Sequence, residues 1–183
     1  MTTTASSTPS IERVLSRVRA DPGALAALRR GVGRSLEESP DSWPYVIDVV
    51  GTQRWREPAA HLTLSLFALH QQSQSQGAMN LQGWRLGRAC RVLGQRRGTS
   101  GASEQGIERR FRAALASETP EALGVHLRGL VTLLRGAGIP LDYTLLYRDL
   151  CAWLWSNRRD RVCLSWARDY FSTSPEDNEQ EES

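Results

Sequence analysis

Residues 121–135 read EALGVHLRGLVTLLR, and their spacing decides the fold. Leu123, Leu127, Leu130 and Leu134 recur at helical intervals and stack into one apolar stripe. A half-buried strand would alternate instead. Arg128 and Arg135, seven apart, share one flank of the same helix. Glu118-Thr119-Pro120 opens the helix, and Gly136-Ala137-Gly138-Ile139-Pro140 stops it.

The same reading extends in both directions. Downstream, Asp142 is an N-cap for a helix through Trp155, and a short helix follows over about Arg161 to Phe171. Upstream, a helix over Glu108 to Ser117 turns Phe111 and Leu115 inward, with Ile107 just before it. Its outer surface carries Arg109, Arg110 and Arg112. Before it, Gln95 to Gly106 reads as a loop rich in Gly, Ser and Arg, and Leu81 to Leu93 as a helix. Ser73 to Ala78 is a polar loop after a long helix from Glu57 to Gln72, apolar at Leu62, Leu66 and Leu69. Trp43 to Val50 is the best strand candidate, but Pro44 suits the first turn of a buried helix better. Asp21-Pro22-Gly23 opens a helix through Arg30, and the first helix runs from Ile11 to about Val18. The expected fold is all-α: a compact helical bundle of about seven to nine helices over residues 11–171. It is either one body or two small lobes meeting at 95–106. Residues 1–10 read as a disordered N-terminus and 172–183 as an acidic disordered tail.

The formal charge of +3 hides an uneven distribution. Five of the 20 acids fall in the last eight residues, and no basic residue lies beyond Arg168. The remaining 15 acids face 23 basic residues, so the body carries about +8, enough to attract polyanions. All 23 are arginine. Genome composition alone can produce that bias, but its consequence is physical. A guanidinium bridges phosphate oxygens, stacks on bases and does not deprotonate. The three cysteines, Cys90, Cys151 and Cys163, form no C-x-x-C pair and read as single thiols of a reducing cytosol. The start MTTTASSTPS lacks the basic and apolar parts of a signal peptide. No apolar run approaches the ~18 residues of a membrane span. The expected location is the cytoplasm, with no membrane partner.

On a helix over Leu81 to Gln95, Leu86, Ala89, Cys90 and Leu93 fall on one side and Trp84, Arg88 and Arg91 on the other. An exposed Trp between two Arg is a stacking surface flanked by phosphate contacts. The alternative is that Trp84 packs on another helix and the arginines are solvated. Arg96 and Arg97, with Gly98-Thr99-Ser100-Gly101, make a basic loop able to wrap a phosphate. Arg29, Arg30 and Arg34 surround Gly31 and Gly33 at a helix end. That is either a backbone grip on phosphate or a plain C-cap turn. It is no P-loop, because no strand precedes it and no Lys follows. Arg158, Arg159 and Arg161 form another exposed basic turn.

No catalytic, metal or cofactor constellation is legible. His61 and His70 face opposite sides of one helix, and no H-E-x-x-H or Cys/His zinc spacing exists. No G-x-S-x-G turn is present. His70 reads as a buried hydrogen-bonding histidine. Asp142 and Asp149 share a helix face without a third carboxylate.

Nine short strings, in order from Leu28 to Tyr170, carry a family resemblance: LRRGVGR (28–34), WPY (43–45), SLFALHQQS (65–73), LGRACR (86–91), ERRF (108–111), HLRGLV (126–131), IPLDY (139–143), LYRDL (146–150) and WARDY (166–170). Together they resemble the small subunit of the type I-E CRISPR Cascade complex, the CasB family. The resemblance implies an all-α subunit without catalytic activity. It implies two copies lying head to tail, beside the backbone subunits and the large subunit of the complex. Their basic surface would hold crRNA-paired target DNA and the displaced strand. By motif position the nucleic-acid-binding residues are Arg29, Arg30, Arg34, Arg88, Arg91, Arg109, Arg110 and Arg128, with Arg96 and Arg97 added from the basic loop. Some of Arg148, Arg158, Arg159 and Arg168 are expected to pair with Asp149, Asp160 or Asp169 instead. The competing expectation is a structural adaptor anchored by Trp43, Trp55, Trp153 and Trp155. A helix-turn-helix regulator finds no supporting turn between two short helices.

Overall fold

Prolines and short polar side chains set where the helices begin. Pro22, Pro44, Pro58 and Pro120 each occupy a first-turn position, where the missing N–H costs nothing. Asp21 Oδ1 accepts from the backbone N–H of Gly23 at 2.8 Å and Ala24 at 3.2 Å. Ser103, Thr119 and Asp142 cap their helices by accepting from Gly106, Ala122 and Leu145. The computed structural model describes residues 11–72, 77–96, 103–155 and 157–172. Among them are nine α-helices: α1 (Ile11–Ala20), α2 (Pro22–Arg30), α3 (Trp43–Val50), α4 (Glu57–Gln71), α5 (Leu86–Gln95), α6 (Glu104–Leu115), α7 (Pro120–Gly136), α8 (Tyr143–Leu154) and α9 (Arg159–Phe171). Two 3-10 turns, Pro40–Ser42 and Arg54–Arg56, lead into α3 and α4. The all-α expectation holds.

α4 is the pillar. Its buried residues point in every direction: Ala59, Ala60, His61, Thr63, Leu64, Ser65, Leu66, Phe67, Ala68, His70 and Gln71. A helix apolar all round has no solvent face and must be surrounded. α1, α2, α3, α7 and α8 pack on it, while α5 joins α6 and α9 and α6 reaches back to α7. The buried apolar side chains form one connected cluster, from Ile11 through Tyr170. Of the apolar positions expected on this helix, Leu66 is sealed. Leu62 and Leu69 are only partly buried, whereas Leu64 and Phe67 are sealed.

Inside this core one buried polar pair is tied together. The Tyr143 hydroxyl donates to the Leu66 carbonyl at 3.2 Å, which leaves it to accept from Nδ1–H of His70 at 2.9 Å. Burial depresses the His70 pKa to about 4, so the ring is neutral in the fold. The buried, hydrogen-bonding histidine expected at this position is what the fold contains.

One boundary differs in a way that matters. α5 begins at Leu86, not Leu81. The preceding segment is taken by tertiary hydrogen bonds. Asn80 and Leu141 form a parallel bridge, Leu81 N–H donates to Leu141 O at 3.3 Å, and Asp142 N–H donates to Trp84 O at 2.7 Å. Gly83, in the left-handed region at φ 83°, turns the chain and donates to Asp142 Oδ2. α6 begins earlier than expected, at Glu104, because Ser103 caps it. The terminal segments 1–10 and 173–183, residues 73–76 of the polar loop, and residues 97–102 of the 95–106 boundary, Arg97 among them, lie outside the described residues.

Candidate nucleic-acid interface

Three of the selected arginines meet where α2 ends. Ala24 and Leu28 turn inward on α2, which leaves Arg29 half-buried and Arg30 exposed at its last turn. Gly31 follows with no room for a side chain: a Cβ there would lie 2.9 Å from His61 Cε1 and 3.0 Å from Ser42 Oγ. Gly33 then adopts φ 78°, a conformation that L side chains rarely take. Nε2–H of His61, on α4, donates to the Arg34 carbonyl at 3.1 Å and pins the turn. Burial lowers the His61 pKa. Arg128 reaches in from α7: a Cβ on Gly33 would sit 2.8 Å from its Nη1. Residues far apart in sequence thus place Arg29, Arg34 and Arg128 around one glycine turn.

Carboxylates do not neutralise these three. Arg30 pairs with Asp41 at 2.7 Å, with both side chains well exposed. Glu38 accepts from the Ser35 backbone N–H at 3.1 Å and serves its own turn. Among the described residues, Arg29, Arg34 and Arg128 enter no ion pair. The positive ends of three flexible side chains therefore stay available to an anion.

The Trp84–Arg88–Arg91 stripe is arranged otherwise. Because α5 starts late, Trp84 precedes the helix and packs partly buried against the core. Arg88 lies over its ring at 4.8 Å, a cation–π contact within the protein. Arg91 donates to the Ser172 carbonyl beyond α9, and Arg85 pairs with Asp169 at 3.5 Å. Both Arg88 and Arg91 are half-buried. The seam between α5 and α9 is very close: a Cβ on Gly87 would lie 2.2 Å from the Trp166 carbonyl oxygen and 2.8 Å from Tyr170 N.

The remaining selected residues divide. Arg96 donates to Ala137 O at 3.1 Å and satisfies a carbonyl at the end of α7. Arg109 and Arg110 are exposed on α6, where Arg110 donates to Gly106 O of its own helix. Arg112 pairs with Glu108 at 2.7 Å. Arg135, expected to share a flank with Arg128, is half-buried and donates to Leu69 O and Gln72 Oε1 at the end of α4. Of the expected carboxylate pairings, Arg159 with Asp160 is found among the described residues, at 4.0 Å. Asp149 instead accepts from Trp166 Nε1 at 2.7 Å, and burial raises its pKa. The part played by His61 in holding the α2 turn escaped sequence reading, since its partner carbonyl lies 27 residues away.

Among the described residues, no group of three His, Cys, Asp or Glu side chains is placed to hold a metal ion, and no helix is long and apolar enough to cross a membrane.

Comparison with known proteins places this geometry in a family. Residues 24–171 match the family model of the CRISPR-associated protein Cse2. The fold superposes on CasB from Thermobifida fusca with a TM-score of 0.66 and 31% identity, over 88% of this chain and 93% of that one. It also superposes on a chain of a CRISPR RNA-guided surveillance complex with a TM-score of 0.65 and 27% identity, over 87% and 88% of the two chains. A search of curated proteins finds no significant match. With the family model spanning the helical body from α2 through α9 and the fold shared with CasB, the chain belongs to the Cse2 (CasB) family of CRISPR-associated proteins.

Proposed function

We propose that this chain is a non-catalytic subunit of a crRNA-guided antiviral surveillance complex, where it steadies the R-loop through sequence-independent arginine contacts. The family match and the likeness to a chain of a surveillance complex support the assembly. The observation that carries the binding role is the gathering of Arg29, Arg34 and Arg128 around Gly33 without a carboxylate partner. Exchange of a DNA duplex for an RNA–DNA hybrid is nearly balanced, so a few backbone contacts tip it. Pairing with the guide reads the sequence, and the protein supplies charge. The partners are crRNA-paired target DNA, the displaced strand, a second copy of the chain, and the backbone and large subunits. Arg109 and Arg110 on α6 extend the basic surface.

The test is charge reversal at Arg34 and Arg128 together in the assembled complex. Retention of target DNA should fall about tenfold, and the salt dependence of binding should lose about two phosphate contacts. Unchanged retention in a fully assembled, correctly folded complex would reject the turn as a DNA contact.

The adaptor reading has one observation in its favour. Trp43 and Ile47, a turn apart on α3, are 45% and 58% exposed and line an apolar groove with Leu36 and Val46. Under that reading, Trp43 and Ile47 variants fail to assemble while the arginine variants assemble and hold DNA normally.

A further inference from the structure

A second aromatic feature, away from the α2 turn, combines exposed rings with unpaired charge. Trp55, in the 3-10 turn before α4, is 46% exposed, and Trp155, just past α8, is 53% exposed. Their ring centroids lie 4.9 Å apart with planes at 70°, an edge-to-face contact. Tryptophan has more apolar surface to withdraw from water than any other side chain, and here two neighbouring rings leave about half of it outside.

Arginines adjoin both rings in sequence or in space. The Arg56 guanidinium lies over the Trp55 ring at 4.8 Å and beside Tyr147 and Cys151 of α8. Arg54 is exposed on the other side of Trp55 in sequence. Arg148 is exposed on α8, seven residues before Trp155. Among the described residues, none of these three arginines enters an ion pair. Of the neighbouring acids, Asp149 accepts from Trp166, and Glu57 lines the groove under α3 with Trp43 and Ile47.

We propose that Trp55 and Trp155 form a stacking site for unpaired bases of a single nucleic-acid strand, whose phosphates Arg54 and Arg148 hold. This rests on the nucleic-acid-binding reading above and names the class of strand. A duplex hides its base faces in its own stack, whereas a single strand offers both planar faces and phosphates. Exposed Arg54 and Arg148, which enter no ion pair among the described residues, favour a polyanion over an apolar protein surface, whereas the α3 groove carries Glu37 and Glu57 among its apolar lining.

The test uses the full chain at low salt, with a labelled oligothymidylate and a short labelled duplex, read by fluorescence anisotropy. The double variant Trp55→Leu/Trp155→Leu keeps apolar volume and removes the ring faces; Trp55→Phe/Trp155→Phe keeps a ring. Circular dichroism and a melting curve verify that both fold. The Leu variant should bind the single strand about tenfold more weakly, with duplex binding and the salt slope unchanged. The Phe variant should recover most of the loss. Equal single-strand binding by the Leu variant and the parent overturns the proposal, and so does an equal loss for strand and duplex. Normal single-strand binding with failed assembly into the complex also overturns it, and makes the pair a protein contact. Failure of the parent chain to bind either probe would instead strike the underlying reading.

Discussion

The α2 turn and the α5–α9 seam start from the same materials, arginines beside glycine, and end with those arginines in different surroundings. At the seam, α9 lies against α5 so closely that Gly87 has no space for a methyl group. Three arginines of α5 and the residue before it are drawn into the fold: Arg85 to Asp169, Arg88 to Trp84, Arg91 to the Ser172 carbonyl. At the turn, His61 and Ser42 fill the space beside Gly31, Arg34 and Arg128 stay exposed, and Arg29 is half-buried without an ion pair among the described residues. The number of arginines does not separate a surface open to a ligand from a structural one. What separates them is whether a neighbouring element brings an acceptor within reach.

The comparison can be broken most severely at Gly87. Gly87→Ala sets a methyl group against the backbone of α9, and stability should drop by about 3 kcal/mol in urea denaturation. A loss under about 1 kcal/mol would mean that the seam has slack and its arginines are not held as described.

The pillar under α2 and α7 offers a pH test of similar size. His70 has a folded pKa of about 4, against 6.5 for the free side chain. Between those values the unfolded chain takes up a proton that the folded chain refuses. Stability is therefore full above pH 6.5, declines as the pH falls toward about 4, and levels off below that. The linked loss is about 3 kcal/mol, and His61, depressed by burial, adds in the same direction. His70→Gln should flatten most of this decline in unfolding midpoints measured across the range.

Charge reversal sharpens the contrast directly. Arg88→Glu with Arg91→Glu should cost about 1–2 kcal/mol of stability, because both side chains serve contacts within the fold. Reversal at Arg34 and Arg128 should leave stability within about 0.5 kcal/mol while DNA retention falls. Equal destabilisation by the two pairs would erase the distinction between the regions.

The smallest effect lies one residue beyond Arg128. Gly129 sits inside α7 with nothing within 4 Å of its Cβ position. Gly129→Ala should raise stability by about 0.5–1 kcal/mol without altering DNA binding, the reverse of the change expected at Gly87.

Much of the fold was legible because its signals are local. The leucine spacing of α7, the caps at Asp21 and Asp142, and the prolines at helix starts each act within a turn or two. The site was legible only in part. Trp84, Arg88 and Arg91 form one stripe on an uninterrupted helix, but the Asn80–Leu141 pairing and Gly83 remove Trp84 from that helix. Arg128 and Arg135 are equivalent by spacing, yet Arg128 is exposed over the Gly33 turn and Arg135 is spent on the end of α4. That α4 is buried on nearly every side was not legible for a related reason. How many helices surround a segment is not written in its own periodicity.

By itself the sequence determined that the chain is helical, where most helices begin, that its body is positively charged, and through its motifs which family it joins. Which arginines remain for a ligand was decided only by tertiary packing. Helix periodicity and capping are settled by residues within about one turn. A long, flexible guanidinium instead takes its partner from whichever element comes to lie beside it, here up to 84 residues away, as in Arg85 with Asp169.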